Sequence, residues 1–214
     1  MDPVTPQVSS SIPELTGTIK DILVGLSAVG ATIFAYLGIN AWRKELKGKS
    51  EYQLAKDILK SVYRVREAFK HVRHIAIFQY EYPEDMQGPH GHLKPEHDYE
   101  GTAHVYETRW KLMDEAFKEL EEYHLLAQVE WGPEFQDKIK KLRACRAELL
   151  VTIQQMLRRK KNPSEKMNSV EEKAEERSVL YHIGEDSKHD KFTPEINEAI
   201  QEFENWLRPH IKKG

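Results

Sequence analysis

Residues 22–39, from Ile22 to Ile39, read ILVGLSAVGATIFAYLGI and carry no charged side chain. Eighteen helical residues at roughly 1.5 Å each span about 27 Å, close to the hydrocarbon thickness of a bilayer. Ala41 and Trp42 extend the run to a full crossing, so the spacing predicts a transmembrane helix over residues 21–42. A cleaved secretory signal would need a basic start and a shorter apolar core. Here Asp2, Glu14 and Asp21 stand against Lys20, and the one passable cleavage site is Ile39-Asn40-Ala41.

The flanks set the expected orientation. Arg43, Lys44, Lys47 and Lys49 follow the run directly, and positive flanks stay on the cytoplasmic side. The N-terminus is therefore expected outside, with the C-terminal part in the cytoplasm. The single cysteine, Cys145, suits a reducing compartment and excludes an intrachain disulfide. Tyr36 and Trp42 fit an interfacial aromatic anchor. Ser27, Ala31 and Ala35, with Ala28 and Gly38 nearby, form a small-residue stripe of the kind on which membrane helices approach closely, so a homodimer through the span is expected.

Outside this run the chain is charged and polar. Residues 1–20 are rich in Pro, Ser and Thr and are expected to form a disordered tail. The net charge of -3 hides alternating blocks: +6 over Arg43–Arg73, -10 over Glu81–Glu134, +8 over Lys138–Lys161 and -7 over Asn162–Leu207. Short connections place successive helices side by side, so a basic helix would lie against an acidic one. That pattern favours internal charge pairing and argues against nucleic-acid binding.

The periodicity predicts an all-α chain, the single span being followed by a soluble antiparallel helical bundle over 43–161. A charged segment and a C-terminal helix, 162–214, would pack on it. Ser50-Glu51-Tyr52-Gln53 matches a capping box after a joint at Gly48, so the first soluble helix is expected over about 50–79. Its stripe is Leu54, Ile58, Val62, Val65, Phe69, Val72 and Ala76. A second helix over 104–131 would bury Leu112, Met113, Ala116, Phe117, Leu120, Tyr123 and Ala127. A third over 133–161 would bury Phe135, Ile139, Leu142, Leu149, Ile153 and Met156, with Cys145 as a small apolar neighbour. Residues 164–182 read as a loosely packed helix. Thr193-Pro194-Glu195 reads as the start of a last helix that Arg208-Pro209 ends. The tetrad Arg158-Arg159-Lys160-Lys161 suits a helix C-terminus or anionic lipid.

The segment from Trp42 to Lys49, WRKELKGK, then Glu51-Tyr52-Gln53-Leu54-Ala55 and Tyr63-Arg64-Val65-Arg66, follows a membrane span. It resembles uncharacterised single-pass bacterial membrane proteins over about the first third of the chain. The resemblance implies a bacterial inner-membrane location and no particular activity.

Residues 80–103, YEYPEDMQGPHGHLKPEHDYEGTA, form a long irregular stretch. His90, His92, His97 and nearby His104, with Glu96 and Asp98, carry ligand types that zinc or another divalent metal uses, although the spacing matches no known finger. Glu121-x-x-His124 has half of a di-iron carboxylate spacing and lacks its second half. Gly48-Lys49-Ser50 lacks the earlier glycine of a phosphate-binding loop, and no H-E-x-x-H, G-x-S-x-G, G-x-G-x-x-G or C-x-x-C occurs. The expected function is therefore that of a non-enzymatic, membrane-tethered helical interaction or scaffold protein. Its expected partners are the lipid bilayer, a second copy and an unidentified protein, with no cofactor. A metal-dependent enzyme using the histidine-rich loop and a membrane-acting effector are the alternatives.

Overall fold

The computed structural model describes residues 12–162, 164, 169–184, 187 and 189–212. The described residues are predominantly helical and hold no strand, which establishes the all-α class. The elements are α1 (Ile12–Val72), α2 (Asp98–Trp131), α3 (Lys140–Lys161), α4 (Val170–Leu180) and α5 (Phe192–Lys212), with short 3₁₀ turns before α2 and α3. Contacts divide the chain into two units, Met1–Ser50 and Glu51–Gly214.

The first unit holds the beginning of α1. Residues 1–11 of the expected disordered tail lie outside the described residues, but 12–20 are helical. Pro13 is in the first helical turn, where its missing N–H leaves no bond unmade. The joint expected at Gly48 and the capping box expected at Ser50 are absent, because both residues lie within α1. Lys49 pairs with Glu45 one turn earlier at 2.6 Å, which supports helix across Gly48.

The second unit begins with the rest of α1, which buries Ala55, Ile58, Val62, Val65, Phe69 and Val72. Phe69 meets Phe117 of α2 and Phe192 of α5 edge-on, at ring-centroid distances of 6.1 and 6.3 Å. Such pairs add about 0.5–1.5 kcal/mol beyond area burial. Arg64 is paired with Glu119, while Arg109 donates to the His74 carbonyl at 2.8 Å, so positions on α1 and α2 run in opposite directions. α3 contributes Leu142, Cys145, Leu149 and Ile153 to the core, and α5 contributes Ile196, Ala199, Ile200, Phe203 and Leu207.

Several boundaries differ from the sequence reading, each for a tertiary reason. α1 ends at Val72, not near Gln79. The carbonyl of Arg73 is taken by the His182 N–H at 2.8 Å, and those of His74 and Ala76 by Arg109. α2 starts at Asp98, not His104. Gly101 lets the Leu93 side chain pack directly on the early turns, where a Cβ would lie 2.4 Å from it. The stretch Pro133–Asp137 is a 3₁₀ turn, and α3 proper begins at Lys140. Its Phe135 ring is held by Trp131, Phe203 and Trp206 at 4.7–6.0 Å. α5 continues past Pro209 to Lys212, with His210 packed on Trp131 and Trp206 at 4.7 and 4.9 Å. Leu112, expected in the core, is 46 % exposed. It lies about 100° around the helix from fully buried Met113.

Candidate functional site

The apolar segment of α1 is candidate-membrane-spanning by length and composition, with a mean hydropathy of 1.6 over its best window and none of that window buried. Leu23, Val24, Leu26, Val29, Ile33, Phe34, Leu37 and Ile39 are all exposed. The helix also satisfies the polar groups it carries. The Ser27 hydroxyl donates to the Leu23 carbonyl at 2.7 Å and Thr32 to that of Ala28 at 2.9 Å. Ser27, Ala31 and Ala35 are exposed at steps of one turn. Arg43, Lys44, Lys47 and Lys49 are exposed as well, and the Lys49 ammonium holds the Glu45 carboxyl below its usual value.

The histidine-rich stretch is a loop of short 3₁₀ turns up to His97, with 98–103 in α2, and side-chain hydrogen bonds hold the loop together. Gln87 donates to the carbonyls of Gln79 and Tyr82, and the Gly88 N–H donates to His92 across a tight turn. Gly91, at φ +73°, closes that turn, and a Cβ there would strike the Gln79 side chain. This framework leaves His90, His92 and His104 exposed and His97 half-buried. It does not gather them: among the described residues no three His, Cys, Asp or Glu side chains are grouped as a metal would need.

Two buried arginines do most of the polar work in the second unit, and sequence reasoning left both off the core. Arg73, 1 % exposed, donates to the Val179, Ser178 and Tyr181 carbonyls, to Thr193 Oγ1 and to Asp190 Oδ1. Its guanidinium thereby caps the carbonyl end of α4, where a cation is favoured. Burial would raise the Asp190 carboxyl, but hydrogen bonds from Thr193 and Arg73 outweigh it and hold it below its usual value. Asp190 also accepts from the Thr193 N–H at 2.9 Å, taking the capping place the sequence reading gave to Thr193. Arg109, 2 % exposed, grips Glu81 through both carboxylate oxygens at 2.6 and 2.8 Å. Burial pushes Glu81 up, and the Arg109 and Phe78 hydrogen bonds bring it below its usual value. The available signal was positional: Arg73 is four residues after Phe69 and Arg109 four before Met113, each on a core stripe.

The alternating charge blocks meet as expected. Arg143 and Arg146 of α3 pair with Glu121 and Asp114 of α2, and Lys141 pairs with Glu198 and Glu202 of α5. The basic tetrad is largely consumed internally, Arg159 on Glu176, Lys160 on Asp98 at 2.7 Å, and Lys161 over the Tyr99 ring. Cys145 is buried, and burial pushes its thiol up to about 11, with Glu195 and Glu148 adding to the rise. That is the state of a packing residue, not of a nucleophile. His124 is likewise buried against the Phe135 ring at 5.2 Å. Comparison of the chain with protein-family models, with curated proteins and with solved structures finds no match.

Proposed function

We propose that this chain is a single-pass, membrane-tethered interaction protein. Its N-terminus would lie outside and its second unit, an antiparallel helical bundle, in the cytoplasm beneath a bacterial inner membrane. The observation that carries the reading is the wholly exposed apolar stretch of α1. A segment this apolar with no protein cover has the burial pattern expected of a lipid-facing helix. The exposed basic residues Arg43, Lys44, Lys47 and Lys49 support the orientation. The small-residue stripe supports contact between two spans.

A reporter active only in the periplasm, fused after the last residue, should be silent, while a cytoplasmic reporter there should be active. Strong periplasmic activity would overturn the orientation, and recovery of the chain in the soluble fraction would overturn the tether. Ala31→Ile fills the stripe without reducing hydrophobicity. It should lower cross-linking between spans and leave insertion intact, whereas unchanged cross-linking would make the anchor a simple tether.

A further inference from the structure

In the second unit, the outer faces of α1 and α2 enclose an open groove of about 1030 Å³, floored by Leu59, Leu112 and Ala116. Along α2, Leu112, Glu115, Glu119, Glu122, Leu126 and Val129 recur at steps of three and four and so share one stripe. Leu112, Leu126 and Val129 are 46, 55 and 86 % exposed. These are large apolar side chains left exposed among the described residues.

The charges beside the groove are segregated. Lys56 and Lys60 on α1 and Glu115, Glu122 and Glu130 on α2 are exposed and make no ion pair among the described residues. Contrast the α2–α3 and α3–α5 contacts, where opposite charges are paired. The Arg64–Glu119 pair fixes the register of the two helices. Stepping back from Arg64 to Lys60 and Lys56 is therefore level with stepping forward from Glu119 past Glu122 towards Glu130. Lys56, Lys60, Glu122, Glu130, Leu126 and Val129 therefore occupy one end of one face, and Glu115 lies towards the other.

We propose that this face binds the same face of a second copy of the chain. A two-fold axis parallel to the helices preserves level, so it sets α1 of each copy against α2 of the other. Lys56 and Lys60 then meet Glu130 and Glu122 across the interface twice over, with Leu126 and Val129 beside them. An interface of this kind is self-complementary, as an isologous contact must be. The proposal rests on the tethered interaction-protein reading and names its partner. Confinement to one membrane raises the effective concentration of the two copies, so a modest contact suffices.

The full-length chain, labelled in two colours and reconstituted in phosphatidylcholine vesicles, tests this by energy transfer. Two charge-reversal variants are compared, Lys56→Glu with Lys60→Glu, and Glu122→Lys with Glu130→Lys. Each variant alone should associate about tenfold more weakly than the unaltered chain. Mixing the two variants should restore association, because each then meets its complement. Circular dichroism shows whether the variants keep their helix. Folded variants that associate as well as the unaltered chain overturn the proposal. So does a mixture that stays apart, which would assign the face to a different protein. Flotation with the vesicles reads the tether separately. An unaltered chain that floats but does not associate strikes this interface alone, and failure to float strikes the tethered reading.

Discussion

The Arg73 guanidinium lies 2.8 Å from the Asp190 carboxylate, and both side chains are fully buried. The pair joins the end of α1 to the residues leading into α5. Three carbonyls and Thr193 Oγ1 complete the acceptor set, so each guanidinium nitrogen has a protein partner. Asp190→Asn leaves that cation uncompensated and should cost about 3–5 kcal/mol. Arg73→Met combined with Asp190→Asn should recover part of the loss. Urea unfolding followed by far-ultraviolet circular dichroism measures both, and a cost below about 1 kcal/mol for the single change would mean the pair is not holding the helices.

Acid should destabilise the second unit through the same groups. Asp190 and Glu81 are held below their usual values in the folded chain. A carboxyl whose folded value is depressed binds fewer protons folded than unfolded. Its contribution is complete above the unfolded value of about 4 and is lost as pH falls through the folded one. The thermal midpoint should therefore fall as pH drops below about 4, and Asp190→Asn or Glu81→Gln should flatten that fall. Glu148 works in the opposite sense, since burial and the nearby Glu195 and Glu175 raise its carboxyl. A midpoint indifferent to pH from 5 to 2 would contradict the assignment.

Phe69, Leu120 and Leu149 have exposures of 1, 0 and 0 %. Truncating any one to alanine removes a large side chain from a packed core and should cost about 2–5 kcal/mol. Denaturant titration of the three variants is the check, and near-neutral changes at all three would place the core elsewhere.

Cys145 should resist alkylation while the chain is folded. Its thiol is buried and pushed up to about 11, so little thiolate exists at neutral pH. Iodoacetamide followed by intact-mass measurement should show slow modification in buffer and rapid modification in urea. Rapid labelling in buffer would mean that the α3 face opens readily.

The helical class and most of the core were legible in the sequence because apolar residues recur at steps of three and four. Val62, Phe69, Leu120, Leu149 and Phe203 are all buried as that spacing requires. Helix ends were less legible, because they are set by bonds between distant residues, such as the His182 N–H on the Arg73 carbonyl. No local pattern announces such a bond. Ser169 was an exception. Its hydroxyl accepts from the Glu172 N–H at 3.0 Å, and the Ser-x-x-Glu spacing at 169–172 was readable. The two buried arginines were not named among the core residues, although their positions were those of core residues. The histidine-rich stretch was legible as a loop, but its internal bonds were not, because they come from Gln79 and Gln87, whose side chains mark no turn by type.

The span of 117 residues between Arg73 and Asp190 also bears on how the chain is made. When Arg73 leaves the ribosome, its carboxylate partner and the helix end it caps have not been synthesised. During that interval the arginine stays hydrated, one cation set into the stripe formed by Val62, Val65, Phe69 and Val72. A hydrated charge there keeps that end of the stripe from packing tightly before its partners exist. Only when α4 and the start of α5 arrive can the guanidinium shed its water. The residue that later locks the fold is thus the one whose burial must wait for the rest of the chain.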